Sequence, residues 1–136
     1  MELPQSAADA RLRLQQLRDN VLTLHKAVLD SERTAYEIVH GPIASPASFL
    51  QLLINDPWFA WLQPLTTLIV QMDETLAAKK PPATEVDLER MIQDTHALLS
   101  PSRNAADFWG RYFATVQRDP AVAVIHSQVQ QLFDAR

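Results

Sequence analysis

The chain carries 4 histidines, 16 aspartates and glutamates, and no cysteine. Metal or acid–base chemistry would have to come from the first two groups. One pair, Glu37 and His40, has the Glu-x-x-His spacing with which di-iron carboxylate bundles hold their metals. Those sites need the pair from each of two helices and a glutamate from each of two more. The sequence contains no second copy. At about 100° per residue, Glu37 also points roughly 150° away from the apolar seam of its own helix, and a bundle metal is held from inside. The expectation is no metal site and no cofactor. Glu37 is then a solvated partner of Arg33, and His40 helps to end the helix at its negative pole.

His25, Glu32 and Tyr36 fall along one side of the same helix, at the edge of the seam. Joined by His96 or His126 from another helix, they would form a polar pocket in which a carboxylate tunes a general base. The more ordinary expectation is a set of boundary polar residues that bond one another. Asp73 and Glu74 are adjacent, so on a helix they diverge by about 100° and do not converge on one proton. Asp73 is the better placed of the two to turn toward a histidine or an arginine; a solvated helix face is the expected outcome. The sequence has no serine-centred elbow, glycine-rich phosphate loop or His-Glu-x-x-His motif. No catalytic residue is assigned.

The aromatic residues form two groups, Phe49–Trp58–Phe59–Trp61 and Phe108–Trp109–Tyr112–Phe113. Burying one large ring stabilises a fold by about 1.5–3 kcal/mol, so eight rings are not all left in water. The two groups are expected to pack together as core. A dimer interface or a ligand pocket are the other fates open to them. The candidate ligand-binding or interface residues are therefore Trp58, Phe59, Trp61, Tyr36, His25, Glu32 and Asp73.

Helices must position all of these. The chain has only 2 glycines, Gly41 and Gly110, and none of the glycine pairs that close tight β-hairpins. Ala10, Leu14, Leu17, Val21, Leu24, Val28, Ser31, Ala35 and Ile38 alternate spacings of four and three, a heptad seam on a first helix from near Gln5 to His40. Leu22, Leu29 and Tyr36 form a second ridge beside it. At about 1.5 Å per residue this helix is about 50 Å long, so it must bend, overhang or meet another subunit. Gly41-Pro42 ends it in a simple left-handed cap.

Ser45-Pro46 starts a short helix with Phe49, Leu50, Leu52 and Leu53. Asp56-Pro57 repeats that signal. It opens a helix whose broad face is Trp58, Trp61, Leu62, Leu65, Leu68, Ile69, Met72 and Leu76, kinked at Pro64 because proline cannot bond the carbonyl of Ala60. "AAKKPPA" is a loop, and Thr84 with Asp87 makes a capping box for a helix with Leu88, Met91, Ile92, Thr95, Leu98 and Leu99 inward. "SPSRN" breaks the chain before a short aromatic helix, in which Gly110 allows close helix approach. Asp119-Pro120 starts the last helix, carrying Val122, Ile125, Val129, Leu132 and Phe133. The fold class expected is all-α, a four-helix-bundle-like single domain with a long first helix and one or two short extra helices.

Composition narrows the function classes. With 47% hydrophobic and 21% charged residues in 136, the chain has the balance of one globular domain. A net charge of −4, with acids interrupting the Arg11, Arg13 and Arg18 group, argues against nucleic acid. The start lacks a cationic segment followed by an apolar run, and no stretch approaches the ~20 apolar residues of a membrane span. Without disulfides or a leader, a cytoplasmic location is expected. A standard interfacial helix at Trp58, Phe59 and Trp61 is disfavoured by the lack of a strongly basic polar face.

The run "HGPIASPASFLQLLINDPWFAWLQPLTTLIVQMDE", about a quarter of the chain, resembles a signature of small bacterial all-helical proteins of uncharacterised activity. Its elements are "HGP", "DPWFAWL-PL" and "MDE". The resemblance implies a bacterial source and transfers no residue role. The function expected is non-enzymatic: action through a protein interface, with a second copy of the chain as the partner. The alternative is a small-molecule or metal-binding bundle with its pocket beside the Trp-rich helix, a reading that leaves enzymatic activity open.

Overall fold

Arg11, Arg18 and His25 rise along the first helix while their partners Leu76, Asp73 and Thr66 descend along another. That pairing fixes two long helices as antiparallel neighbours. The computed structural model describes residues 2–101 and 106–134. Within them α1 is Glu2–His40, α2 Pro46–Asn55, α3 Gln63–Ala77, α4 Glu85–Leu98, α5 Ala106–Arg118 and α6 Pro120–Asp134; a 3-10 helix, Pro57–Leu62, links α2 to α3. The fold is all-α and bundle-like. α1 is the common wall, antiparallel to α3. α4 runs with α1, placing Glu89 on Arg13 and Ile92 beside Leu17. α6 runs against it, from Arg118 just before its start, bonded to Ser31, to Phe133 beside Leu17.

Each helix start has a local cause. Ser45 Oγ accepts from Ser48 N at 3.1 Å, Asp56 Oδ1 from Trp58 N at 2.8 Å and Asp119 Oδ1 from Ala121 N at 3.0 Å. Thr84 and Asp87 exchange side-chain and backbone bonds reciprocally, and these bonds hold the Asp87 carboxyl below its ordinary range. Gly41 closes α1 at φ +88° with one bond, Gly41 N to Glu37 O at 2.8 Å. The break at "SPSRN" falls mostly outside the described residues.

One apolar cluster runs through the molecule, from Ala10, Leu14 and Leu17 on α1 to Leu65 and Met72 on α3, Leu88 on α4, Tyr112 on α5 and Val129 on α6. The heptad seam holds through Ser31 and then fails: Glu32 is buried, Tyr36 is half-buried and Ile38 is 81% exposed. A straight helix has about 3.6 residues per turn and drifts ~20° per heptad, so over four heptads the buried face moves on by most of one residue. Ala10 is the first buried side chain described, and the last turn of α1 packs on Trp58 through Tyr36 and His40 while Ile38 and Val39 are exposed on its outer side.

Two further expectations are corrected. Pro64 does not kink a continuous helix. The chain runs as a 3-10 helix to Leu62, and Pro64 sits in the first turn of α3, where its missing N–H has no carbonyl to satisfy. Gly110 does not mediate helix approach: it is exposed, and a Cβ there would meet nothing within 4 Å.

Candidate functional site

The 3-10 geometry determines which aromatic residues turn inward. At about three residues per turn, side chains three apart eclipse. Phe59 and Leu62 share the inner face and are buried, while Trp58 and Trp61 flank it half-buried. Phe59 lies 5.5 Å from Tyr36 and 5.7 Å from Phe49 between ring centroids. Trp61 reaches Phe108 at 5.7 Å, joining the two aromatic groups. The rings are chiefly core, and Phe59 is not an exposed interface residue.

Glu32 sits where α1, α5 and the 3-10 helix meet. It is 6% exposed. Its Oε2 accepts from Trp58 Nε1 at 3.0 Å; its Oε1 accepts from Arg118 Nη2 at 3.0 Å and from Thr115 Oγ1 at 3.3 Å. A carboxylate engaged by three donors is a structural acceptor and not a free base. Tyr36 stands against Trp58 edge-on at 5.5 Å and against His40 at 4.5 Å. No histidine joins Glu32, so the His–Glu pocket does not assemble.

His25 lies farther down α1. Its Nε2 is hydrogen-bonded to Thr66 Oγ1 at 3.0 Å, and burial pushes its pKa down. This pair ends an apolar groove of about 330 Å³ walled by Leu29, Leu50, Leu53, Ile54 and Leu62. His126 is bonded through Nδ1 to the Tyr112 hydroxyl at 2.6 Å, with its pKa lowered and that of Tyr112 raised by burial. His96 packs on Phe133. The four histidines therefore serve four separate places.

Asp73 does turn to an arginine. Its Oδ1 and Oδ2 accept from Arg18 at 2.7 and 3.4 Å, which raises the Arg18 pKa together with Asp19. The pair is partly exposed and ties α3 to α1. Glu37 Oε1 lies 3.8 Å from Arg33, and its Oε2 accepts from Ile43 N at 2.8 Å. Among the described residues, no three His, Asp or Glu side chains are grouped to hold a metal.

Sequence reasoning missed Thr66, Thr115 and Arg118, which only the tertiary fold brings to His25 and Glu32. It also missed the state of α2. This helix, PASFLQLLIN, has no charged residue, yet buries none of its ten. Phe49, Leu52 and Leu53 touch the core partly, while Leu50 and Ile54 are 55% and 66% exposed. The signal was present: Phe49, Leu50, Leu52, Leu53 and Ile54 make a broad apolar face on a helix too short to be surrounded. No family model, curated protein or solved structure matches the chain. Among the described residues no helix is long and apolar enough to cross a membrane.

Proposed function

We propose that this protein is a non-enzymatic, cytoplasmic binding module that works by self-association through α2. One observation carries the reading: an uncharged, strongly apolar helix lies on the surface with Leu50 and Ile54 uncovered. Covering each of these half-exposed side chains is worth about 1 kcal/mol. A second copy is the partner whose chemistry fits. Near a twofold axis each residue meets its own counterpart, so a charge there meets a like charge. α2 brings none. The groove beside it, walled by Leu29, Leu53 and Leu62, receives the side chains of the facing copy. Sedimentation equilibrium across micromolar concentrations tests this. A dimer that Leu50→Glu with Ile54→Glu converts to monomer supports the reading, and a strict monomer throughout defeats it.

The same groove favours one second reading. His25 and Thr66 place hydrogen-bonding groups at the end of an apolar wall, the arrangement that holds a small amphiphile. A monomer that binds a medium-chain alcohol, and loses that binding in His25→Ala, would favour it over self-association.

A further inference from the structure

The other side of α2 faces the end of α1 across a cleft of about 560 Å³. Ser48, Gln51 and Asn55 line it from α2, whereas Leu50 and Ile54 face the groove described above. The cleft is thus distinct from the proposed self-association surface.

Asp56 is the only carboxylate among its described lining residues, and His40 the only basic side chain. α1 is a helix of 39 residues, and its C-terminal carbonyls carry the negative end of the dipole. Gly41 N satisfies the carbonyl of Glu37. Pro42 has no N–H to offer, and Ile43 N is taken by the Glu37 carboxylate at 2.8 Å. Of the last carbonyls of α1 that receive no backbone N–H from the described residues, that of His40 belongs to a residue lining the cleft. Asp56 adds a carboxylate to the lining, and no lysine or arginine is among the described lining residues. The nearby Arg33 guanidinium is turned away, over the Phe49 ring at 5.0 Å and beside Glu37. Tyr36, Leu52 and Pro57 supply an apolar wall.

We propose that this cleft binds a small organic cation, a protonated primary amine on an aromatic or aliphatic body. The ammonium supplies a donor to the His40 carbonyl and to Oδ2 of Asp56, whose Oδ1 is already held by Trp58 N. The body lies against the apolar wall of Tyr36, Leu52 and Pro57.

Calorimetric titration with phenethylammonium chloride, and with 2-phenylethanol as its neutral counterpart, tests the site. Asp56→Asn removes the charge while keeping a side chain that caps a helix equally well, so the 3-10 helix after it should persist. The wild-type protein should bind the amine at least about tenfold more tightly than the alcohol, and Asp56→Asn should weaken the amine by about tenfold, the order of one charge-assisted hydrogen bond. Absence of amine binding, or equal affinity for amine and alcohol in the wild type, overturns the proposal whatever the variant does. So does unchanged amine affinity in a folded Asp56→Asn protein.

Discussion

The indole Nε1–H of Trp58 donates to Oε2 of Glu32 at 3.0 Å, across 26 positions of sequence. This bond fixes the 3-10 helix against α1, and the other carboxylate oxygen fixes α5 through Thr115 and Arg118. Three elements are thus pinned by one nearly buried side chain.

Glu32→Ala should therefore destabilise the protein by about 1–3 kcal/mol, because it strands the Trp58 indole N–H, while Thr115 keeps the Arg111 carbonyl at 3.1 Å and Arg118, which is half exposed, regains water. Glu32→Gln keeps an acceptor and should cost less. Urea unfolding followed by tryptophan fluorescence reads both. A loss below about 0.5 kcal/mol for the alanine variant, the range of an ordinary surface substitution, would show that the node is dispensable.

Phe59 and Trp61 are two positions apart and should respond very differently. Phe59 is 2% exposed among Tyr36 and Phe49, so Phe59→Ala should cost about 3–5 kcal/mol. The Trp61 Nε1 is enclosed with no acceptor in reach among the described residues. Trp61→Phe removes that unsatisfied donor, which offsets the lost ring area, and should change stability by less than about 1 kcal/mol. The same unfolding curves decide, and comparable losses at both positions would contradict the assigned packing.

Burial holds the pKa of His25 and of His126 below the ordinary imidazole value of 6.5. Below that pH the unfolded chain takes up protons that the folded one refuses, so stability falls as pH drops from about 7 toward 5, until the folded imidazoles also protonate. Asp87, whose folded pKa lies below 3.8, loses its contribution only in stronger acid. Thermal melts of His25→Gln with His126→Gln should show a flatter pH dependence in the upper window. A slope identical to the wild type would assign the effect to other groups.

The helices were legible in the sequence because their starts are local. Ser45, Asp56, Thr84 and Asp119 each cap the helix that follows using only neighbouring atoms. The apolar periods of α3, α4 and α6 also identify the buried faces correctly, with Leu65, Met72, Leu88 and Val129 fully enclosed. Two misreadings share one origin, an assumed period. A heptad carried to Ile38 ignores the drift of a straight helix: it holds through Ser31, then puts Ala35 and Ile38 inward where Glu32 and Tyr36 follow. An α-helical period through Pro57–Leu62 hides Phe59, which a 3-10 period reveals. Gly110 was given a packing role that its exposed position does not require. The partners of Glu32 and His25 depend on how distant helices dock, which no local pattern encodes.

The central claim is that the uncovered face of α2 meets a second copy of itself. The chain contains no cysteine, so single introduced thiols report on it without background. Ile54 on α2 and Val86 on α4 are matched controls, 66% and 64% exposed. Under mild oxidation at equal protein concentration, Ile54→Cys should form a disulfide-linked dimer in high yield and Val86→Cys should remain monomeric. Equal yields from the two variants, or none from Ile54→Cys, would contradict the account.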